Sequence, residues 1–214
     1  MITVILADDH PLVREGIRST LSKAADIQIV GEAESGTQVQ QLVAELRPRI
    51  LLLDLKMPGP HPAEIEKWVR THYPETVTLV LTAHDRDSYL TRMIDAGAAG
   101  LIDKGESGDR LVGAIRRAAR GEFLFDNRQL DRARHWRESA GEKWESLTNR
   151  EREILRLLVR GFDNAHIGKV LMITSKTVAY HITNILVKLG VNSRQEAVAW
   201  VHKYSPDTMD ENAS

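Results

Sequence analysis

The chain has 214 residues, enough for one large or two modest domains, and its 42% hydrophobic and 28% charged residues are typical of a globular protein. It contains no cysteine, which excludes a disulfide framework, a thiolate metal site and a cysteine nucleophile. No apolar stretch approaches the ~18 residues of a membrane span, and the N-terminus has the pattern of a strand rather than of a signal peptide. We therefore expect a cytoplasmic protein with no membrane partner.

The net charge of −1 is unevenly distributed along the chain. Residues 1–121 are slightly acidic, whereas residues 147–204 carry 9 Lys or Arg against 4 Asp or Glu, a net charge of +5. This asymmetry favours two domains with different partners over a chance scatter of surface charge. We predict domains over residues 1–121 and 147–204, a linker over residues 122–146, and a disordered acidic tail over residues 205–214.

The first 121 residues alternate five times between short β-rich runs and helical patterns. The predicted strands are Thr3–Ala7, Ile27–Ala33, Ile50–Leu53, Thr76–Thr82 and Gly100–Ile102. The predicted helices are Pro11–Ala24, Ser35–Leu46, Ala63–Thr71, Asp87–Ala96 and Ser107–Arg120. This alternation predicts an α/β fold with a five-stranded, doubly wound parallel sheet of the flavodoxin-like kind.

Polar residues stand where four of these strands end. They are Asp8, Asp9, Asp54, Thr82 and Lys104. Because the carboxyl ends of parallel strands meet at one edge of the sheet, we expect these side chains to share one cleft. Each residue alone has a simpler interpretation, such as a helix N-cap, a β-forming threonine or a solvated lysine. Together, three carboxylates and a backbone carbonyl form an oxygen-ligand set suited to Mg²⁺.

Asp54 is the best candidate for a nucleophile, because it ends the central strand and opens the KMPG loop. A carboxylate can attack phosphorus and form an aspartyl phosphate. Lys104 would pair with one phosphoryl oxygen, and Thr82 would donate a hydrogen bond to another.

The segments that carry these residues are ADDHPLVREG, LLLDLKMPG, LTAHD and the strand-end Lys104. They resemble the receiver domain of bacterial two-component response regulators over roughly residues 1–121. The resemblance implies that Asp54 is the phosphoacceptor and that a phosphohistidine on a sensor histidine kinase is the phosphoryl donor. It also implies roles for further residues. Asp8, Asp9 and the backbone carbonyl of Lys56 would join Asp54 as Mg²⁺ ligands, and Thr82 and Lys104 would complete the catalytic set.

The sequence departs from this family at two places. Where the family usually has an aromatic switch residue three positions before the lysine, this chain has Leu101, which would work with Thr82 as the switch pair. After MPG the chain reads PHPAE instead of the usual Asp-Gly, which we expect to change how the third helix begins. Since leucine distinguishes two conformations less well than an aromatic side chain, we expect DNA binding without phosphorylation and a modest gain upon it.

Residues 122–146 have mixed charge. RQLDRARHW has the composition of helical turns, and SAGEKWES is typical of a solvated linker. The segment would act either as a hinge that transmits the switch or as a passive tether.

The back half contains four short helical patterns. Thr148 and Glu151 have the spacing of a capping box, and an apolar stripe follows them up to Gly161. The third helix, Ser175–Leu189, carries Val178, Ile182, Ile185 and Leu189 at helical spacing. Tight turns between the helices predict an all-α four-helix domain in which the second and third helices form a helix-turn-helix.

The other face of the third helix would be either a DNA-contacting surface or a solvated face. Its residues are Lys176, Thr177, Tyr180, His181, Asn184 and Lys188. Such side chains can donate to phosphates and base edges on a domain of charge +5, with Lys188 acting mainly on phosphate. Val178 would touch a thymine methyl group in the major groove.

The back half is similar to the LuxR-type effector domain in LTNREREILRLL, SKTVAYHITNILVKLGV and SRQEAV, over about residues 147–203. It departs at Ala179-Tyr180, where the family usually has a basic residue. With the receiver-like front half, the chain resembles the NarL/FixJ subfamily. This resemblance implies a phosphorylation-controlled transcription factor, not an enzyme, that binds double-stranded DNA as a homodimer.

Three other classes are less well supported. An acyl-lactone-sensing LuxR regulator would lack the Asp, Thr and Lys set of the front half. A haloacid-dehalogenase phosphatase needs an Asp-x-Asp after its first strand, whereas Asp8 and Asp9 are adjacent. An orphan regulator that binds DNA independently of phosphorylation remains the alternative, because of Leu101.

Overall fold

The computed structural model describes residues 1–83 and 86–204. The chain forms two compact units, one of residues 1–132 and one that begins at residue 133. The predicted acidic tail, residues 205–214, lies outside the described residues, and so do His84 and Asp85 of the LTAHD segment.

The first unit is built from five strands and the helices between them. Its strands are β1 (Ile2–Ala7), β2 (Ile27–Ala33), β3 (Ile50–Asp54), β4 (Val77–Thr82) and β5 (Gly100–Asp103). Its helices are α1 (Pro11–Leu21), α2 (Gly36–Leu46), α3 (Pro62–His72), α4 (Asp87–Ala96) and α5 (Gly108–Ala119). The prediction of five strand–helix pairs is confirmed, although α1 ends at Leu21 and not at the predicted Ala24.

All strand pairs are parallel, in the order β2-β1-β3-β4-β5. This is the doubly wound order of the predicted flavodoxin-like fold. The central strand β3 is buried along its whole length, because helices cover both faces of the sheet and apolar clusters fill the space on either side. The arrangement brings the carboxyl ends of β1, β3, β4 and β5 to one edge.

The second unit is helical. Its helices are α7 (Glu142–Glu145), α8 (Asn149–Val159), α9 (Asn164–Leu171), α10 (Ser175–Leu189) and α11 (Arg194–Tyr204). The predicted capping box is present: the Thr148 hydroxyl accepts from the Glu151 N–H, and the Glu151 carboxylate accepts from the Thr148 N–H. Helix α10 ends at Gly190, whose φ of 67° is accessible to glycine at little cost.

Helices α9 and α10 form the predicted helix-turn-helix, with an angle of 105° between them. Gly168 makes the tight turn possible, since a Cβ atom there would lie 2.7 Å from the Ile173 carbonyl oxygen. Across residues 1–83 and 86–204, no single helix is long and apolar enough to cross a membrane. Among these residues, only α9 and α10 taken together have the length and apolar composition of a membrane span, and they are bent by 105° relative to each other.

The segment predicted as a linker, residues 122–146, is folded. Its first part belongs to the first unit, where the Leu124 N–H donates to the Ala99 carbonyl oxygen at 2.7 Å. Helix α6 (Asn127–Trp136) then spans the boundary between the units, and a π-helical turn, Arg137–Gly141, leads into α7.

The prediction that SAGEKWES is solvated is wrong. Ala140 and Trp144 are buried with Trp136 in the apolar core of the second unit. These three residues are spaced four apart, so they lie on one helical face and form a stripe that packs against the core.

Candidate functional site

The carboxyl edge of the sheet gathers three charged side chains in close contact. The Asp8 side chain at the end of β1 is 0% exposed, and Asp54 at the end of β3 is 3% exposed. The Lys104 ammonium lies 2.7 Å from Asp8 Oδ2 and 2.9 Å from Asp54 Oδ1. The structure therefore brings together the lysine and two of the carboxylates that the sequence placed at this edge.

Strand pairing explains the position of Lys104. Thr82 pairs with Asp103 at the ends of β4 and β5, and the Lys104 N–H donates to the Thr82 carbonyl oxygen at 2.7 Å. This hydrogen bond extends the β4–β5 ladder by one residue, and the Lys104 side chain reaches from there to the ends of β1 and β3.

The pKa values of Asp54 and Lys104 depend on their burial and on the charges beside them. Burial raises the pKa of Asp54, and the negative charge of Asp8 adds to this effect, while Lys104 opposes it. Burial alone would favour a neutral amine at Lys104. Its hydrogen bonds and attraction to Asp8 and Asp54 outweigh burial, so the pKa of Lys104 is raised and the lysine stays charged. The ammonium thus serves as the counter-charge of both carboxylates.

A group of possible metal ligands surrounds this contact. Asp8, Asp9, His10 and Asp54 each offer one ligand atom, and these atoms lie within 4.8 Å of one another. Asp54 Oδ2 is buried and has no hydrogen-bond partner among the described residues. Mg²⁺ prefers hard carboxylate oxygens, and the buried Asp54 oxygen is available to bind such an ion, so the donor set fits the expected ion.

His10 was missed in the sequence, although it directly follows the Asp pair. Its Nδ1 lies 2.7 Å from Asp9 Oδ1, and its backbone N–H donates to Asp8 Oδ1 at 2.9 Å. The backbone contact holds the buried carboxylate in place, while the His10 ring lies at the surface above Asp9.

A cleft of about 310 Å³ opens beside Asp54. Thr82 and Lys56 line it; the sequence predicts that Thr82 shares this cleft, and the resemblance implies a metal-binding carbonyl at Lys56. Tyr89 of α4 also lines it and is buried, and the sequence gave no separate signal for it. Leu101 lies half-buried on β5 beside Val80 and is not one of the described residues that line the cleft.

Within PHPAE, His61 and Pro62 form the start of the third helix. His61 is the N-cap of α3, and its Nδ1 accepts a hydrogen bond from the Ala63 N–H at 3.1 Å. Pro62 occupies the first helical position, where its missing N–H has no intrahelical partner to lose.

In the helical unit, the predicted DNA-contacting face of α10 is largely accessible. Lys176 and Tyr180 are exposed, Tyr180 to 66%, and Thr177, His181 and Asn184 are partly exposed. The Thr174 hydroxyl caps the helix by accepting from the Thr177 N–H at 3.0 Å.

Comparison with known proteins identifies both halves. Residues 4–116 match the response regulator receiver domain, and residues 145–201 match the LuxR family of bacterial regulatory proteins. The chain is 37% identical to the response regulator protein VraR of Staphylococcus aureus over 204 residues, which cover 95% of this chain and 98% of VraR.

The chain is a member of the response regulator family. Its fold is similar to that of the RcsB response regulator of Salmonella typhimurium, with a TM-score of 0.62, 26% identity, and coverage of 94% of this chain and 100% of RcsB. A structure of RcsB bound to promoter DNA with the phosphomimetic BeF₃⁻ gives a TM-score of 0.61 at 28% identity and covers 94% of this chain and 98% of that one.

The receiver domain alone is similar to that of the putative response regulator NarL of Mycobacterium tuberculosis. The identity is 34% and the TM-score 0.55, with coverage of 56% of this chain and 98% of that one. The regulator thus combines a receiver domain with a LuxR-type domain, as the resemblance implied.

Two DNA contacts predicted for this response regulator need correction. Val178 is 0% exposed and belongs to the core of the LuxR-type domain, so the prediction that it touches a thymine methyl group is wrong. Val178 shares its helix face with Ile185 and Leu189, and burial of that apolar face holds α10 on the domain.

Lys188 is the second correction. Its ammonium donates to Glu151 Oε2 at 2.7 Å and to the Ser146 carbonyl oxygen at 2.9 Å. Burial would raise the pKa of Glu151, but hydrogen bonds from Lys188 and Thr148 outweigh it and lower that pKa. Lys188 therefore neutralises a buried carboxylate of its own domain, and we no longer assign it to a phosphate contact.

Proposed function

We propose that this response regulator is a cytoplasmic transcription factor whose receiver domain accepts a phosphoryl group on Asp54 from a sensor histidine kinase. Phosphorylation then controls how the LuxR-type domain binds DNA. The single observation that carries this proposal is the buried, unpaired Oδ2 of Asp54 beside an open cleft and a charged lysine.

The residues support in-line transfer of a phosphoryl group. An oxygen of Asp54 forms a bond to phosphorus while the bond from phosphorus to the donor nitrogen breaks. Lys104 is close enough to turn from the Asp54 carboxylate to a phosphoryl oxygen, and the Thr82 side chain at the cleft wall can donate to another. The low exposure of Asp54 limits the competition of bulk water for these groups.

Mg²⁺ would be held by Asp8, Asp9, Asp54 and the backbone carbonyl of Lys56. When bound, it supplies positive charge that offsets the repulsion between these carboxylates and the phosphoryl oxygens. Asp8 and Asp54 share a single ammonium, that of Lys104, so a divalent ion would add positive charge beside three neighbouring carboxylates.

The accessible face of α10 would enter the major groove of double-stranded DNA. Lys176, Tyr180 and Asn184 are the side chains that we assign to this contact, together with Thr177 and His181. Solved structures of RcsB include a DNA complex and two RcsB dimers bound to two parallel DNAs. We infer that this regulator also binds DNA as a homodimer, on two half-sites.

The orphan regulator remains the second candidate, because Leu101 replaces the aromatic switch residue and does not reach the cleft among its described lining residues. In that case DNA binding would not depend on phosphorylation. A ligand shifts a two-state equilibrium only by its differential affinity for the two states, so a weak switch predicts a small gain.

The test is incorporation of phosphate from acetyl phosphate in the presence of Mg²⁺. Wild-type protein should form one acid-stable, alkali-labile acyl phosphate, and Asp54→Asn should form none while remaining folded. Asp109→Asn, at an exposed position in the first turn of α5, serves as the matched control and should label fully. Full labelling of Asp54→Asn at another aspartate would refute the assignment.

A second measurement separates the two candidates. DNA selected by the protein from a random double-stranded pool is titrated with and without beryllium fluoride. We expect binding in both states, with a gain on the order of tenfold, or about 1.4 kcal/mol, upon addition of the phosphoryl mimic. An unchanged affinity would favour the orphan regulator, and a gain of several hundredfold would show that Leu101 does not weaken the switch.

A further inference from the structure

Arg14 is a buried charged residue that the reaction above does not use. It lies in the first turns of α1, and the residue is only 8% exposed. A guanidinium is almost never buried unless its donors are paired, because removing it from water is unfavourable. Its partners therefore indicate what it contributes.

One end of the guanidinium holds the metal-site turn. Arg14 Nη1 donates to the backbone carbonyl oxygen of Asp8 at 2.6 Å, inside the protein. The other polar groups of Asp8 are also held: its N–H donates to the Ala33 carbonyl oxygen at 3.0 Å, and its carboxylate takes Lys104 and the His10 N–H. Arg14 thus fixes the peptide that joins Asp8 to Asp9.

The other end is anchored on β2 and the residue that follows it. Arg14 Nη2 contacts the Glu34 carboxylate, and Nε lies 3.5 Å from Glu32 Oε2. The backbone N–H of Glu34 is itself held by the Gln38 side chain at 2.7 Å. The planar guanidinium therefore spans from β2 to the end of β1, which a lysine ammonium with its single nitrogen cannot do equally well.

The turn before helix α1 is not ordered by a side-chain cap. Helix α1 begins after His10, whose side chain makes no capping hydrogen bond, and Pro11 follows at the first helical position. Asp9 is partly exposed and touches the His10 ring. Without Arg14, the Asp8–Asp9 peptide would lose the side-chain contact on its carbonyl and could rotate, which would redirect the Asp9 carboxylate.

We propose that Arg14 is a positioning residue for the phosphoryl-acceptor site, where it fixes the Asp8–Asp9 peptide so that both carboxylates are arranged for Mg²⁺. This inference rests on the proposed function of the site. Partners that orient metal ligands typically change metal affinity by 10–100-fold when they are lost. We expect the lower end here, since Arg14 acts through the backbone.

The test is the dissociation constant for Mg²⁺, measured by calorimetry on the full chain, alongside the urea unfolding midpoint. Arg14→Met should weaken Mg²⁺ binding on the order of tenfold, and Arg14→Lys should give an intermediate value. Arg18→Met is the matched control, because Arg18 lies on the same helix and pairs with Glu32 at 3.1 Å but makes no contact with Asp8. It should bind Mg²⁺ like wild type.

Val43→Ala controls for general loss of stability. This buried residue of α2 lies in the apolar core, so its truncation should lower the unfolding midpoint and leave the Mg²⁺ affinity unchanged. If Arg14→Met does not fold, the Mg²⁺ affinity of Arg14→Lys relative to wild type decides the question.

The outcomes are distinct. Mg²⁺ affinity of the Arg14 variants within twofold of wild type overturns the positioning role, and so does an equal loss of affinity in Val43→Ala. A wild-type protein that binds no Mg²⁺ overturns the proposed function itself, and the role of Arg14 with it.

Discussion

In the receiver domain, the buried Asp8 and Asp54 meet the partly buried Lys104 beside an open cleft, and one oxygen of Asp54 has no partner among the described residues. In the LuxR-type domain, Glu151 and Lys188 also meet in a largely buried contact, yet the Glu151 carboxylate has Lys188 and Thr148 as partners. The difference shows how buried charges should be interpreted. A buried charge with an unused oxygen at a cleft indicates a ligand site, whereas one that is paired with a lysine and a cap of its own domain stabilises that domain.

The largest expected effect is on the stability of the LuxR-type domain, and it tests whether the predicted linker is part of that domain. Trp144 is buried in the core of the LuxR-type domain, with its ring stacked 6.3 Å from Trp200. Trp144→Ala should lower the stability of that domain by about 3–5 kcal/mol, because it leaves a large cavity in the core. Calorimetric unfolding should show a lower transition for the LuxR-type domain and an unchanged one for the receiver domain.

Glu145→Ala is the control for this experiment, since Glu145 is the exposed neighbour of Trp144. It should leave both transitions in place. A Trp144→Ala protein with wild-type unfolding would show that SAGEKWES, residues 139–146, acts as the solvated linker that the sequence predicted.

The receiver domain contains a further buried carboxylate, Glu66 of α3. It tests whether a buried carboxylate without a strong partner destabilises its domain when it is ionised. Burial raises its pKa to about 7, and the Thr78 hydroxyl and the Arg70 charge oppose this only in part. Because the folded protein holds this proton more tightly than the unfolded chain, Glu66 favours folding at low pH. That contribution falls as the pH rises from about 4.5 to about 7.

Glu66→Gln should therefore stabilise the receiver domain at pH 8, by up to about 3 kcal/mol, and have little effect at pH 4. Urea unfolding at both pH values measures this difference. Glu64→Gln, at an exposed position on the same helix, should change neither value. A Glu66→Gln variant that is less stable than wild type at pH 8 would show that Glu66 is paired when ionised.

The sequence was sufficient for the receiver fold and much of its site, because both depend on local patterns. Five β-rich runs alternate with helical ones, and strand ends in a parallel sheet meet at one edge. Asp8, Asp54 and Lys104 follow from that rule alone. Tyr89 and Arg14 do not, because their contacts depend on how α4 and α1 pack against the sheet.

The LuxR-type domain was harder to predict in detail because its contacts depend on the rotational phase of helices. Periodicity placed Val178 in the apolar stripe, and that stripe is buried, which excludes the base contact assigned to the same residue. Lys188 looked exposed because Glu151 is 37 residues away in sequence. In residues 136–146, the many charged residues concealed the apolar spacing of Trp136, Ala140 and Trp144.

The Glu151–Lys188 pair should have a smaller effect, with the opposite pH dependence to Glu66. The pKa of Glu151 is lowered, so the pair stabilises the folded protein above the usual pKa of a glutamate. This contribution is lost as the pH falls through the lowered value. Lys188→Ala should cost about 1–2 kcal/mol at pH 7, below the cost for fully buried pairs because Lys188 is partly exposed.

Unfolding of the LuxR-type domain at pH 7 and pH 3 measures this contribution. Lys169→Ala, at an exposed position on α9, is the control and should be near neutral. A loss in Lys188→Ala that is equally large at pH 3 would show that packing of the lysine chain, and not the ion pair, is responsible.

The smallest expected effect is on DNA binding, and it separates the two lysines of α10. Lys176 is exposed in the first turn, whereas Lys188 is held by Glu151 and the Ser146 carbonyl oxygen. A lysine that neutralises one phosphate releases about one counterion, so Lys176→Ala should reduce the slope of log affinity against log salt by about one unit. Lys188→Ala should leave that slope unchanged, provided that binding is measured where the variant is folded.

Titration of random-sequence DNA at several salt concentrations measures both slopes. If Lys188→Ala reduced the slope and Lys176→Ala did not, Lys188 would have to leave Glu151 when the domain binds DNA. The Glu151–Lys188 pair would then be part of the DNA contact and not only a stabilising ion pair of the domain.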